Sequence, residues 1–227
     1  MNEIISKASK ENRNLFEYES MQLLSKYNVN VPSYRFIKSR SEIYELPNDI
    51  RYPVVLKVVS KDILHKSDCG GVIVNIHSFN ELIEAYDKMN NDFLKMSDNA
   101  EIKGFLISEQ VPQGAEFIAG AIEDENLGKA LMIGFGGIYV ELFKDVVLEM
   151  YPISRNEALD MVKSLKSYKI IQGYRGHEPL DENKVVDLLL TINKIIKDIP
   201  EINQIEINPF YLYENDLIAV DAKIILK

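Results

Sequence analysis

The amino-acid sequence predicts a two-lobed α/β or α+β fold. Segments with helical spacing of apolar residues alternate with short β-branched segments, and several predicted strands are joined by short turns, which indicates antiparallel pairing. The chain has 227 residues, enough for one large domain or two small lobes with a hydrophobic core. Hydrophobic residues make up 46% of the chain and charged residues 27%, which is the composition of a folded globular protein.

Helical and extended patterns alternate from the beginning of the chain. The spacing of apolar residues predicts a helix over 15–27, which Asn28 ends in a left-handed conformation. Short strands are then predicted at Tyr34–Ile37, Pro53–Val59 and Val72–Ile76. The second of these is nearly all apolar, so we expect it to be buried on both faces.

Helix-capping patterns mark the starts of three further helices. Ser78 with Glu81 and Ser154 with Glu157 have the spacing of capping boxes, and Asp181 is expected to cap a longer helix. The remaining strands are predicted over 104–122, which would hold two strands joined by a turn at 112–114, and over 130–133, 139–143 and 146–150.

The chain ends in a predicted hairpin around Glu214 and Asn215. Strand alternation puts Glu206 and Asn208 on one face, and a two-residue turn would place Asn208 opposite Asp221, with the two residues ~5 Å apart. Two oxygen ligands and a nearby carboxylate suit Mg²⁺. A polar strand face that only contacts solvent explains the same pattern, so both interpretations stay open.

Net charge and cysteine content exclude several classes of function. The formal net charge of -9 repels phosphate backbones, so no nucleic-acid partner is expected, although a local basic cleft could hold one nucleotide. The single cysteine, Cys69, cannot form an internal disulfide, which is consistent with a reducing cytosol. Neither a secretory signal nor a run of ~20 apolar residues is present, so we expect a cytoplasmic protein that does not bind membranes.

Lys57 and the loop after it are the other candidate functional residues. Lys57 lies in the middle of the buried strand, either with its ammonium group in water at a sheet edge or as a phosphate-binding group. In the following loop, His65 is either inert or a phosphate acceptor. Gly70 and Gly71 could donate backbone amides to an anion or simply form a turn.

Common nucleotide-binding and metal-binding motifs are not found. The sequence lacks the GxxxxGK[ST] loop and a GxGxxG motif after a strand, and its histidines and cysteine do not have zinc-site spacing. A second glycine cluster, Gly134, Gly136 and Gly137, could line a nucleotide cleft or kink a strand.

Several motifs spread over nearly the whole chain are specific in combination. They are Phe16–Tyr18, Pro53–Lys57, Ile63–Asp68 with Gly70–Val72, Glu109–Pro112 with Gly114–Glu116, Gly134–Glu141, Gly173–Gly176, Glu206–Pro209 and Val220–Lys223. Together they resemble the β subunit of ADP-forming acetyl-CoA synthetase, an acyl-CoA synthetase with an ATP-grasp fold. They are also similar, more distantly, to the nucleotide-binding part of succinyl-CoA synthetase β.

The resemblance implies an ATP-grasp fold with two lobes and a nucleotide cleft between them. We expect an N-terminal helix over 1–28 that packs on the second lobe, a first lobe over 29–103 and a second lobe over 104–227. The implied activity is that of an acid–thiol ligase, which makes ATP from ADP, phosphate and acyl-CoA. A succinyl-CoA synthetase-like ligase subunit and a non-catalytic regulatory subunit are the alternatives.

The resemblance also implies roles for individual residues. Lys57 would contact ATP phosphate, together with the amides of Gly70 and Gly71; Glu109 and Val111 would line the adenine hinge. Glu116 would bind the ribose or another group in the cleft, and Asn208 and Asp221 would hold Mg²⁺. His65 would carry phosphate, with Glu206 orienting its ring. A separate CoA-binding α subunit would complete a hetero-oligomer, expected to be α2β2.

Overall fold

The computed structural model of the chain consists of two compact units, which we describe separately. The larger unit combines Met1–Val31 with Gln113–Lys227, and the smaller unit is Pro32–Pro112. The described residues are 3–47, 50–63, 66, 69–96, 101–124, 126, 128–137, 145–176 and 178–227, with only the backbone described at 94–96.

Helices and strands alternate along the described chain. In order they are α1 (Glu3–Lys10), α2 (Glu17–Lys26), β1 (Tyr34–Ile37), a 3-10 helix (Arg40–Glu45), β2 (Val54–Ser60), β3 (Val72–Ile76), α3 (Phe79–Met96), β4 (Ile102–Glu109), β5 (Ala115–Asp124), β6 (Gly128–Phe135), β7 (Val146–Met150), α4 (Arg155–Lys163), α5 (Tyr168–Ile171), α6 (Glu182–Asp198), β8 (Ile202–Leu212), β9 (Leu217–Ala219) and β10 (Ala222–Leu226).

The smaller unit is an antiparallel four-stranded sheet with α3 on one face. The strand order is β1-β4-β2-β3, so β2 is a central strand, and all of its residues are buried. Ser78 caps α3 as predicted, because its Oγ accepts the N–H of Glu81, while the Glu81 carboxylate accepts the N–H of His77, one residue before the partner that a capping box predicts. Apolar residues of α3 then pack on Val54, Leu56 and Val58 to form the core of this unit.

The larger unit is a six-stranded antiparallel sheet that packs against helices. Its strand order is β10-β8-β5-β6-β7, and β9 pairs with β8. Ser154 and Glu157 form the predicted capping box at the start of α4, and Asp181 caps α6 by accepting the N–H of Asn183 at 3.0 Å. The core lies between the sheet and α1, α2, α4 and α6, with Phe117 and Phe210 stacked in its middle.

The division of the chain differs from the predicted boundary between residues 103 and 104. β4 pairs with β1 and β2, whereas β5 pairs with β6 and β8, so the two strands predicted within 104–122 lie in different sheets. The turn predicted at 112–114 is therefore a connection between units and not a hairpin turn. The boundary between the two units falls between Pro112 and Gln113.

Two short helices and one strand need separate mention. Helix α5 was not predicted, and the N-terminal region contains two helices, α1 and α2, where a single helix over 1–28 was expected. The strand predicted over 139–143 lies outside the described residues. Within the described ranges, no helix combines the length and the apolar character that crossing a bilayer requires.

Candidate functional site

The terminal hairpin presents a polar face on the sheet of the larger unit. Ile205 and Ile207 point into the core with 1% and 0% exposure, so Glu206 and Asn208 lie on the opposite, open face. The side chains of the latter two meet there, because Asn208 Nδ2 donates to Glu206 Oε1 at 3.2 Å. Gln204 Nε2 donates to the other oxygen of the same carboxylate, also at 3.2 Å.

The predicted register of this hairpin is confirmed by backbone hydrogen bonds. The N–H of Tyr213 donates to the carbonyl of Asp216 at 2.9 Å, which closes the two-residue turn. The N–H of Asn208 donates to the carbonyl of Asp221 at 3.0 Å, so these two residues lie opposite one another between β8 and the start of β10. Lys223 is the direct partner of Glu206 on the neighbouring strand.

The donor set on this face fits a hard divalent cation. It includes the Asn208 amide and the Glu206 carboxylate, with Asp221 opposite Asn208 on the neighbouring strand, and oxygen is the ligand atom that Mg²⁺ prefers. Among the residues that the structure describes, no cluster of three or more His, Cys, Asp and Glu side chains could hold a metal. Mg²⁺ is commonly held by only one or two protein carboxylates and completes its shell with phosphate and water.

Glu116 lies on the same open face and packs against the second glycine cluster. It pairs with Tyr211 on β8, while its neighbour Phe117 points into the core. The N–H of Gly136 donates to the carbonyl of Glu116 at 2.7 Å. A Cβ atom at Gly137 would lie 2.6 Å from Glu116 Oε2, so a larger residue would displace this carboxylate from its position.

In the smaller unit, the structure brings Lys57 and the first glycine pair together. Lys57 is 6% exposed, and its direct partners are Val72 on β3 and Leu106 on β4. The prediction of a buried strand is therefore confirmed, and the alternative of a lysine at a sheet edge is wrong. Gly71 precedes Val72, and its carbonyl accepts the N–H of Val58 at 2.9 Å.

Gly71 is required by close packing, whereas Gly70 is exposed. A Cβ atom at Gly71 would lie 2.6 Å from Val58 Cγ1 and 3.0 Å from the carbonyl oxygen of Lys66. The N–H of Gly71 already donates to that same carbonyl at 2.7 Å, so its amide is engaged within the loop. His65, the predicted phosphate carrier in this loop, lies outside the described residues.

The predicted hinge residues lie at the end of β4 and just after it. Glu109 is half-buried and pairs with Val54, on the face of the sheet that packs on α3. Lys57 lies on the opposite face by strand alternation, so the two side chains are not brought together. Glu109 borders a cavity of about 340 Å³ that is also lined by Arg35 and Arg51. Val111 is half-buried in the segment after β4.

Beside this hinge lies a pair of amide side chains that no sequence pattern above indicated. Asn75 on β3 and Gln110, between Glu109 and Val111, exchange two hydrogen bonds. An asparagine in the middle of a predicted strand was an available signal, because asparagine is depleted in strands.

The two antiparallel sheets with their helices are the fold of the ATP-grasp class of proteins. The family described as ATP-grasp domain matches residues 7–226. The chain is 39% identical over 224 residues to the ADP-forming acetate–CoA ligase I subunit beta of Pyrococcus furiosus, covering 99% of this chain and 97% of that one. It is 37% identical to the ADP-forming acetate–CoA ligase I of Archaeoglobus fulgidus, covering 99% of this chain but 33% of that protein.

A solved structure gives the same assignment. The chain superimposes with a TM-score of 0.84 and 35% identity on the dinucleotide-forming acetyl-coenzyme A synthetase 1 of Ca. Korarchaeum cryptofilum, covering 99% of this chain and 98% of that one. That protein was solved with coenzyme A and Mg-AMPPCP, its phosphohistidine segment pointing towards the nucleotide-binding site. The chain belongs to the family of ATP-grasp β subunits of ADP-forming acetate–CoA ligases.

Proposed function

We propose that this chain is the nucleotide-binding β subunit of an ADP-forming acyl-CoA ligase. The net reaction is acyl-CoA + ADP + phosphate ⇌ carboxylic acid + ATP + CoA. The observation that carries the proposal is the near full-length match to a subunit with this activity in its name, at 39% identity. The open polar face with Glu206, Asn208 and Asp221 supports it independently, because its chemistry suits a metal–nucleotide complex.

The step assigned to this chain is phosphoryl transfer between a histidine and ADP. A terminal oxygen of the ADP β-phosphate attacks the phosphorus of phospho-His65, the P–N bond breaks, and the imidazole nitrogen keeps the electron pair. Such transfers depend mostly on positioning and on stabilisation of spread negative charge. Lys57 supplies a buried positive charge for the phosphates, and Glu206 orients the imidazole ring.

In this reaction, the chain would use Mg²⁺ as a cofactor and an adenine nucleotide as a substrate. Asn208 and Asp221 would hold the ion, which would offset phosphate charge when bound. Glu109 and Val111 would line the adenine hinge, and Glu116 would accept hydrogen bonds from the ribose hydroxyls. Gly70 would donate its amide to phosphate, whereas the amide of Gly71 serves the loop itself.

A CoA-binding α subunit is the proposed partner. The chain spans about a third of the length of the relative from Archaeoglobus fulgidus, whereas it spans nearly all of a relative that is named as a subunit. The remaining parts of the reaction, including acyl-CoA cleavage, are therefore assigned to a second chain. We expect an α2β2 hetero-oligomer in the cytoplasm, without a nucleic-acid or membrane partner.

The test is a reconstituted reaction with a histidine control. The chain is co-purified with the α subunit, and CoA- and acetate-dependent release of ADP from ATP is measured. We expect release only when both chains are present, and His65→Ala should abolish it. His77→Ala is the matched control because His77 is exposed and is not part of the proposed site.

Labelling distinguishes a relay histidine from an inert one. With phosphate-labelled ATP, acid-labile label should appear on this chain in the wild type and in His77→Ala but not in His65→Ala. Normal turnover of His65→Ala would contradict the phosphoryl-carrier role. The absence of any acid-dependent ADP release from the wild-type complex would contradict the proposed activity.

A further inference from the structure

Strand β3 contains a bulge at an asparagine with an unusual backbone conformation. Asn75 has a φ of 58°, in the left-handed region that asparagine tolerates better than most residues. The pairing with β2 shifts here, because Leu56 pairs with Ile73 whereas Val54 pairs with Ile76. β3 thus has an extra residue between these pairs, and a bulge of this kind takes a backbone N–H out of the regular ladder.

Gln110 provides the hydrogen-bond partners at this bulge. Its Oε1 accepts the backbone N–H of Asn75 at 2.6 Å, and its Nε2 donates to Asn75 Oδ1 at 2.8 Å. The backbone N–H of Gln110 donates to the carbonyl of Pro53 at 2.9 Å, just before β2. Gln110 is therefore held both by the chain entering β2 and by β3.

Gln110 is also the middle residue of the proposed adenine hinge. Glu109, on one side, donates its N–H to the carbonyl of Ser33 at 2.8 Å. The hinge is thus fixed on the β1 side by a backbone bond and on the β3 side by the Asn75–Gln110 pair. Because β3 begins directly after Gly71, the same pair also anchors the strand that carries the glycine loop.

We propose that Asn75 and Gln110 form a positioning pair that pre-organises residues 109–111 for the adenine base. This inference rests on the proposed function, in which Glu109 and Val111 line the adenine hinge. Without the pair, the segment after β4 would have to be ordered on binding, and that cost would reduce the affinity for nucleotide. The pair acts through the hinge, so it should affect ligands with a base and not the phosphates alone.

The test compares ADP with inorganic pyrophosphate, both in the presence of Mg²⁺, by isothermal titration. Gln110→Ala removes both side-chain hydrogen bonds, and we expect roughly tenfold weaker ADP binding. Binding of pyrophosphate should not change, because pyrophosphate has no base. Asn30→Ala is the matched control, since it removes a 2.8 Å side-chain hydrogen bond to Asp216 in the larger unit and should leave both affinities unchanged.

Two variants of Asn75 keep the inference testable if Gln110→Ala fails to fold. Asn75→Gly retains the left-handed backbone but removes the acceptor Oδ1, so we expect an ADP affinity between those of the wild type and Gln110→Ala. Asn75→Asp retains both the acceptor and a residue that tolerates positive φ, so its ADP affinity should be close to that of the wild type.

Three results would be decisive. Unchanged ADP affinity in Gln110→Ala and Asn75→Gly overturns the inference and leaves the proposed function intact. Equal weakening of ADP and pyrophosphate also overturns it, because the pair would then only stabilise the unit as a whole. If the wild-type chain binds no ADP, the proposed function fails, and the inference fails with it.

Discussion

Lys57 is a charged residue in the middle of a strand, and its side chain is buried. Its position in the middle of β2 follows from the sequence pattern, and the structure shows a side chain with only 6% exposure. Burial of an ammonium group costs free energy, so a lysine is expected in a buried strand only where its charge has a function. The sequence indicated burial of the strand on both faces, but it left open whether Lys57 lay at a sheet edge, because the order of strands in a sheet is not a local signal.

We expect Lys57→Met to weaken ADP binding roughly 30-fold or more, the size of effect seen when one partner of a desolvated charge pair is removed. Methionine fills a similar volume, so the unfolding temperature should change little. Lys103→Met, an exposed lysine of the neighbouring strand β4, serves as the control. Calorimetry with unchanged ADP affinity in Lys57→Met would rule out phosphate binding by this residue.

Asp221→Asn tests the metal ligands on the terminal hairpin. The backbone carbonyl that accepts the N–H of Asn208 is retained, so the hairpin register should survive. Loss of one anionic ligand should weaken ADP binding roughly tenfold at fixed Mg²⁺, and a higher Mg²⁺ concentration should restore it. Glu214→Gln, at the exposed turn of the same hairpin, should have no effect. A Mg²⁺ dependence identical to that of the wild type would show that Asp221 is not a ligand.

At the scale of the elements, most of the regular structure could be predicted from local patterns. The strands Tyr34–Ile37, Val72–Ile76 and Val146–Met150 have the predicted bounds. Their flanking turns and alternating side chains are local signals. The sequence did not indicate α1 as a helix separate from α2, because α1 is stabilised by burying Ile4, Ile5 and Ala8 in the core of the larger unit, which is tertiary information. For the same reason, the sequence could not assign β4 and β5 to different sheets.

The glycine cluster beside Glu116 allows a prediction with a matched control. Gly137 and Gly128 have φ angles of 76° and 83°, so alanine costs roughly 1–2 kcal/mol of backbone strain at either position. Only at Gly137 would the added Cβ meet the Glu116 carboxylate, since Gly128 has open space around it. We expect similar losses of unfolding free energy but weaker ADP binding in Gly137→Ala alone. Equal ADP affinities in the two variants would exclude a nucleotide-binding role of Glu116.

The carboxylate of Asp145, just before β7, is hydrogen-bonded to the chain that leads into α5, and this contact depends on pH. Its carboxylate accepts the N–H groups of Lys166 and Ser167, each at 2.8 Å, before α5. Burial acts to raise the pKa of Asp145, but these hydrogen bonds outweigh it and hold the pKa below its ordinary value of 3.8. The carboxylate therefore stabilises the fold above that value, and the contribution is lost as the pH falls through the native pKa.

We expect Asp145→Asn to reduce the unfolding free energy by roughly 1–2 kcal/mol at pH 7. The difference from the wild type should narrow as the pH falls below 3.8, because both proteins then lack the charge. Urea unfolding between pH 7 and pH values below 3.8 measures this difference in unfolding free energy. Asp160→Asn is the control, because Asp160 is exposed. A difference that does not vary with pH would assign the effect to packing.

At the scale of the whole molecule, the smaller unit is continuous in sequence and the larger one is not. All strand pairs of Pro32–Pro112 are internal to that segment, which also has its own core. We therefore expect a fragment of residues 32–112 to unfold cooperatively when denatured, as followed by circular dichroism. A fragment of residues 113–227 should not, because it lacks the buried Leu23 and Leu24. Non-cooperative unfolding of the first fragment would show that it depends on the rest of the chain.

The discontinuity of the larger unit bears on the order in which a nascent chain can acquire its structure. The N–H of Leu15 donates to the carbonyl of Ile224 at 3.2 Å, and Asn14 accepts the N–H of Leu226 at 3.1 Å. A ribosome finishes residues 32–112 long before it reaches these late partners. The smaller unit can therefore fold first. The apolar residues of α1 and α2 stay exposed until β10 has been synthesised. During that interval, the exposed apolar residues of the N-terminal segment make the nascent chain prone to aggregation.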